Sequence, residues 1–133
     1  MVNAGTVRTD LMKGNITYNN ILDILPFSSE IIVKKVLGQD ILDALEFGMK
    51  ELPLKTSRFP QVSGISFKVN TSINSTVEID ENEMFIKVSG DRRVFDVKVG
   101  NESLDVNKTY ILSFDEYIAN GGDGYSMFSK YEK

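Results

Sequence analysis

Hydrophobic residues recur at two periods along this chain, and the change of period divides it. Between Asp40 and Leu52, the residues Leu42, Leu45, Met49 and Leu52 recur at spacings of three and four. That spacing predicts a helix with one apolar stripe, ended by Pro53. Further along, the period becomes two. Ile65, Phe67 and Val69 alternate with Ser66 and Lys68, Met84, Ile86 and Val88 with Phe85 and Lys87, and Phe95, Val97 and Val99 with Asp96 and Lys98. Such alternation predicts half-buried strands. Tyr110 to Phe114 reads as a final strand, and Ile31 to Leu37 as an early one ended by Gly38, although Lys34 and Lys35 blur its alternation. Thr17 is placed to cap a short helix through Leu25, with Ile21 and Leu25 one turn apart on its buried face and Pro26 stopping it. Lys55 to Gly64 and the polar stretch Asn70 to Asn82 read as connections. Helical patterns come first and strands dominate later, so the expected fold is α+β: a mixed β-sheet packed with helices, one domain spanning residues 1–133.

Composition narrows what such a domain could do. At 41% hydrophobic and 26% charged residues the chain is ordinary for a globular protein. A net charge of −4 argues against binding polymeric nucleic acid or an anionic membrane surface. No apolar run is long enough to span a bilayer. With no cysteine there is no disulfide framework and no thiol chemistry. With no histidine there is no His-based triad or general base, and the usual catalytic zinc sites are excluded. No carboxylate cluster has the spacing of a calcium loop. The chain lacks the common tools for making and breaking bonds and keeps those for holding a ligand, so no catalytic residue and no metal ligand is assigned to it.

The chemistry concentrates in Ala119-Asn120-Gly121-Gly122-Asp123-Gly124-Tyr125. Three glycines in four positions suit neither a helix nor a strand interior. The stretch is either a tight surface turn or a ligand loop in which a small molecule lies against the backbone while Asp123 holds a hydroxyl. It is not a Walker-type phosphate loop, because no Gly-Lys-Ser/Thr follows, and its spacing is not the dinucleotide fingerprint. Arg8, just past Gly5, is either a solvated charge or an anion clamp. Phe27, just past Pro26, belongs either to the core or to a pocket at an element end. Asn15, Asn70, Asn74, Asn101 and Asn107 each begin an N-glycosylation acceptor triplet in a predicted turn or loop. Chance would supply roughly one or two among ten asparagines. The excess points to an exported protein, while Asn-rich composition explains it equally well.

Several pieces occur in a definite order: Leu25-Pro26-Phe27, Phe59-Pro60-Gln61-Val62-Ser63-Gly64, Val99-Gly100-Asn101 with Leu104-Asp105 and Lys108-Thr109-Tyr110, then Asn120-Gly121-Gly122-Asp123-Gly124-Tyr125. As an ordered set they make the chain, from Asn3 to about Phe128, resemble the C-terminal substrate-binding domain of the 5′-nucleotidase/UDP-sugar hydrolase family. The resemblance implies a two-domain parent in which an N-terminal metallophosphoesterase domain holds two divalent metal ions and hydrolyses a phosphomonoester. The C-terminal domain binds the nucleoside and presents the phosphate by rotating. It implies that Phe27 and Tyr117 sandwich the base, that Asp123 accepts hydrogen bonds from the ribose hydroxyls, that Asn3 contacts the base, that Arg8 binds the ligand's anionic groups, and that Gly64 lines the pocket. By the same resemblance this chain is truncated at its N-terminal edge, without the first strand and the metal domain, and is inactive alone. An extracellular, cell-surface or periplasmic location is expected. The family's first loop usually reads Asn-Gly-Gly-Gly-Ile-Arg, whereas Asn3-Ala4-Gly5-Thr6-Val7-Arg8 carries Ala4 and Thr6 at glycine positions. Two other functions are compatible with the sequence: a dimerisation or binding module with a vestigial pocket, and a relative acting on UDP-sugars, 2′,3′-cyclic nucleotides or a non-nucleotide phosphoester.

Overall fold

The computed structural model describes residues 1–132. Its elements run β1 (Val2–Asn3), α1 (Tyr18–Ile24), β2 (Ile31–Leu37), α2 (Gly38–Gly48), β3 (Pro60–Gln61), β4 (Ile65–Val69), β5 (Val77–Ile79), β6 (Phe85–Val88), β7 (Val94–Val99), β8 (Glu102–Ser103), β9 (Thr109–Asp115) and α3 (Glu116–Ala119). Short 3-10 turns cover Ala4–Thr6, Gly122–Gly124 and Ser126–Phe128. The fold is α+β. Its strands form four small sheets, β1–β3, β2–β9, β4–β7–β8 and β5–β6, and each of these pairings is antiparallel.

The β2–β9 ribbon and α2 make the frame. Seven residue pairs join the two strands, from Ile31 opposite Asp115 to Leu37 opposite Thr109. Burial alternates strictly along β2, with Ile32, Lys34 and Val36 inward and Ile31, Val33, Lys35 and Leu37 outward. The alternation that the two lysines blurred is therefore complete, and Lys34 occupies an inward position. α2 follows β2 without a loop and buries Ile41, Ala44, Leu45 and Phe47 against Val94, Val97, Phe114, Ile118, Tyr125 and Phe128. Phe47 and Tyr125 meet edge to face with ring centres 5.1 Å apart, a favoured aromatic geometry.

Four expectations need correction. The second helix stops at Gly48 rather than Leu52. There the Arg93 guanidinium collects the carbonyls of Met49, Lys50 and Leu52 at 3.0, 3.1 and 2.9 Å, so the chain turns instead of winding on. α1 has the expected cap, because Thr17 Oγ1 accepts from Asn20 N and Asn20 Oδ1 accepts from Thr17 N, but it has no buried face. Ile21 and Leu25 are 43% and 47% exposed. In β7, Asp96 adopts φ 50° at a register shift opposite Ser66 and Lys68. This bulge changes the phase of the strand, so Val94 and Val97 face inward while Phe95 is exposed. The polar stretch from Asn70 to Asn82 contains β5, which pairs with β6.

Two features bring the first and last stretches of the chain to the frame. β1 pairs with β3, Asn3 opposite Pro60, and the Met1 amine donates to the Ser113 carbonyl at 2.6 Å. At the far end of β9, Asp115 caps α3 by accepting from Ile118 N at 2.8 Å. α3 then delivers the glycine loop beside Asn3.

Candidate functional site

The glycine loop is a folded object with a defined shape. Gly121 and Gly124 have φ of 92° and 89°, and Asp123, between them, has φ 53°. At Gly124 a side chain would collide with the Glu83 carbonyl and with the Phe47 ring, 2.7 Å from the Cβ position. At Gly122 it would stand 2.6 Å from the ring of Tyr117. One glycine thus seats the loop on the core, and the other lets its backbone lie against an aromatic face. Tyr125 follows as a fully buried anchor whose hydroxyl donates to the Arg58 carbonyl.

Asp123 is presented at the tip of this loop and held from two sides. Tyr117 Oη donates to Asp123 Oδ1 at 3.0 Å, and Asn3 Nδ2 donates to Asp123 Oδ2. Asn3 is buried, and its amide is oriented by Thr6, whose hydroxyl donates to Asn3 Oδ1. Thr6 Oγ1 also lies 3.3 Å from Asp115 Oδ2. Asp115, Thr6, Asn3, Asp123 and Tyr117 therefore form one polar chain drawn from distant parts of the sequence. A glycine at position 6 would remove the link between Asp115 and Asn3. Each Asp123 oxygen keeps a second lone pair for an incoming donor.

The rest of the lining is largely aromatic and cationic. Phe27 and Tyr117 are 50% and 53% exposed, although aromatic rings of this size are normally covered. Among the described residues the two rings make no contact with each other. The Arg8 guanidinium carbon stands 4.9 Å from the Phe27 ring centre, a cation–π contact. Arg8 N donates to the Ile24 carbonyl at 2.9 Å, which ties that segment to the end of α1. A cleft of about 420 Å³ lies among these groups, lined by Asn3, Arg8, Phe27, Asp115, Tyr117 and Asp123, with Gly5, Thr6, Ser29 and Ser57. This volume suits a small organic ligand.

Of the residues singled out from the sequence, Asn3, Arg8, Phe27, Tyr117 and Asp123 all line this one cleft. Gly64 does not. It occupies the turn between β3 and β4 at φ 75°, where its carbonyl accepts from Gly100 N at 2.8 Å. It lies outside the cleft because a two-residue strand and a tight turn carry that segment toward β7. Sequence reasoning missed Thr6, Ser29, Ser57 and Asp115. Thr6 lies inside the quoted first loop, and its departure from glycine was the available signal. Asp115 reads as an ordinary helix cap, and nothing local marks Ser29 or Ser57.

Among the described residues no three histidine, cysteine, aspartate or glutamate side chains come together as a metal site. No helix of the described residues is long and apolar enough to cross a membrane.

The chain is 31% identical over 138 residues to the NAD 5′-nucleotidase of Haemophilus influenzae, covering 96% of this chain and 20% of that protein. It is 27% identical over 135 residues to the trifunctional nucleotide phosphoesterase protein YfkN of Bacillus subtilis, covering 98% of this chain and 8% of that protein. The crystal structure of the 5′-nucleotidase precursor from Thermus thermophilus superimposes with a TM-score of 0.80 at 31% identity, over 97% of this chain and 23% of that one. The chain thus spans about a fifth or less of the curated relatives named here. Residues 1–130 match the family described as 5′-nucleotidase, C-terminal domain, and the chain belongs to that family.

Proposed function

We propose that this domain recognises the nucleoside part of a nucleotide for a 5′-nucleotidase-type phosphomonoester hydrolase whose reaction centre lies elsewhere in a longer polypeptide. One observation carries the reading: Phe27, from an early part of the chain, lines a single cleft with Tyr117 and Asp123, which stand six residues apart near its other end. The two exposed rings offer stacking faces, worth roughly 1–3 kcal/mol per base. The remaining lone pairs of Asp123 suit a vicinal diol, since a carboxylate accepts and never donates. Arg8 supplies a cation for phosphate oxygens. The names of two relatives, a NAD 5′-nucleotidase and a trifunctional nucleotide phosphoesterase, support nucleotide chemistry.

By the family resemblance, a companion metallophosphoesterase domain would hold two divalent metal ions. No hydrolytic step is assigned to this chain, and alone it releases no phosphate from AMP. The five glycosylation-type asparagines are all exposed and outside helices and strands, which supports export to the cell surface, the periplasm or the medium.

Isothermal calorimetry with adenosine and AMP tests the reading. Millimolar binding is expected, stronger for adenosine than for 2′,3′-dideoxyadenosine. Phe27→Ala should weaken both nucleosides by about tenfold, in line with the loss of one stacking face. Absence of binding to the intact chain at millimolar ligand, or binding indifferent to Phe27→Ala, overturns it.

A further inference from the structure

We infer that Lys34, a residue outside the cleft, is the positioning residue that holds the Asp123 loop in its ligand-accepting shape and thereby sets discrimination for the ribose diol. The inference rests on the nucleoside reading above. It starts from an anomaly in β2, whose inward positions are Ile32, Lys34 and Val36. A lysine is rarely buried, yet Lys34 is 4% exposed. Such burial carries a desolvation cost that must be offset by well-placed hydrogen bonds.

Those bonds converge on the loop. Lys34 Nζ donates to the Ala119 carbonyl at 2.6 Å and to the Phe128 carbonyl at 3.1 Å. Ala119 is the last residue of α3, and Phe128 ends the turn after Tyr125. Between them run Asn120 to Met127, the stretch that carries Asp123. One ammonium therefore joins the entry and the exit of the loop and seats both on the β2–β9 ribbon. Within the loop Gly121, Asp123 and Gly124 all have positive φ. No strand ladder imposes these conformations; inside the loop Tyr125 Oη holds the Arg58 carbonyl and Ser126 Oγ the Phe85 carbonyl, and Lys34 supplies the grip on its two ends. An ammonium with three donors and a single centre is suited to draw two carbonyls together. Methionine has similar length and no donor, and it would remove the Lys34 bond from the Ala119 carbonyl and leave the Phe128 carbonyl with only the longer bond from Tyr131 N at 3.4 Å. The neck would loosen, and Asp123 would lose its alignment with Asn3 Nδ2 and Tyr117 Oη.

The experiment compares intact chains carrying Lys34→Met and Lys34→Arg with the parent. The probes are adenosine and 2′,3′-dideoxyadenosine by calorimetry, together with amide NMR of Gly121, Gly122 and Gly124. Lys34→Met is expected to weaken adenosine about tenfold, the scale of one displaced charge-assisted contact, and to leave dideoxyadenosine within about twofold. In an Asp123→Asn background the methionine should cost no further adenosine affinity. The three glycine amides should shift while those of β4 and β7 stay in place. Equal losses for both nucleosides, or unchanged adenosine affinity, overturn the inference. If the parent binds neither nucleoside, the proposed function fails, and the glycine amides decide separately whether Lys34 holds the loop: unmoved resonances overturn that role. If the methionine variant does not fold, Lys34→Arg is carried through both nucleosides. A reduced adenosine-to-dideoxyadenosine ratio supports the inference and an unchanged ratio overturns it.

Discussion

Gly122 and Gly124 stand on either side of Asp123, and they answer to different neighbours. A methyl group at Gly124 would meet the Glu83 carbonyl and the Phe47 ring, at a backbone φ of 89°. Phe47 is buried and has no room to withdraw, so Gly124→Ala should cost about 2–4 kcal/mol, by analogy with core overpacking and left-handed strain. Urea unfolding would read it as a lower midpoint. A methyl group at Gly122 would press on the Cγ end of the Tyr117 ring at 2.6 Å, and that half-exposed ring would have to turn about its Cα–Cβ bond to make room. Gly122→Ala should stay within about 1 kcal/mol of the parent in stability while weakening adenosine severalfold in the same calorimetry. Asp123 itself is legible in the sequence because three glycines isolate it as a lone carboxylate. Its holders are not equally legible. Asn3 lies 120 residues away, and only the family resemblance connects the two. Thr6 and Asp115 join the polar chain through tertiary placement that no local pattern encodes.

Elements are legible where a period runs undisturbed and misread where one residue breaks it. The strand at Ile65–Val69 and the cap at Thr17 follow from local chemistry alone. Simple alternation puts Phe95 on the wrong face because a single left-handed residue, Asp96, resets the phase. The end of α2 is misplaced because its stop signal, Arg93, comes from the residue before β7, more than forty residues on. The exposure of α1 is invisible for a related reason: an apolar stripe says that a face could be buried, not that anything covers it. That helix is held by its capping box and by the bond from Arg8 N to Ile24 O. Thr17→Ala should therefore destabilise α1 alone, by about 1 kcal/mol. Hydrogen exchange at Asn20 and Ile21 should accelerate about fivefold at that cost, with the thermal midpoint of the whole chain unchanged.

At the scale of the molecule, stability rests on a core that includes an ionisable group. Burial pushes the Tyr125 phenol above its ordinary value of 10.0, and the nearby Asp123 charge pushes it the same way. The folded chain keeps this proton where the unfolded chain gives it up. Tyr125 thus contributes its full stability below pH 10 and loses it as pH rises further, at about 1.4 kcal/mol per pH unit. Thermal midpoints measured from pH 9 to 12 should fall above pH 10, and Tyr125→Phe should flatten that fall. An equally steep decline in the phenylalanine variant would remove Tyr125 as the cause.

The bond from Asn3 to Asp123 also governs when the cleft comes into being during biosynthesis. A ribosome that has made the first hundred residues shown here has already released Phe27 and α2, yet the acid and the ring of Tyr117 are still untranslated. Contacts of such long sequence separation form late. The nascent polypeptide therefore carries no competent pocket until the stretch from Tyr117 to Asp123 has emerged, and ligand present in the compartment of synthesis offers no template for the early steps of folding.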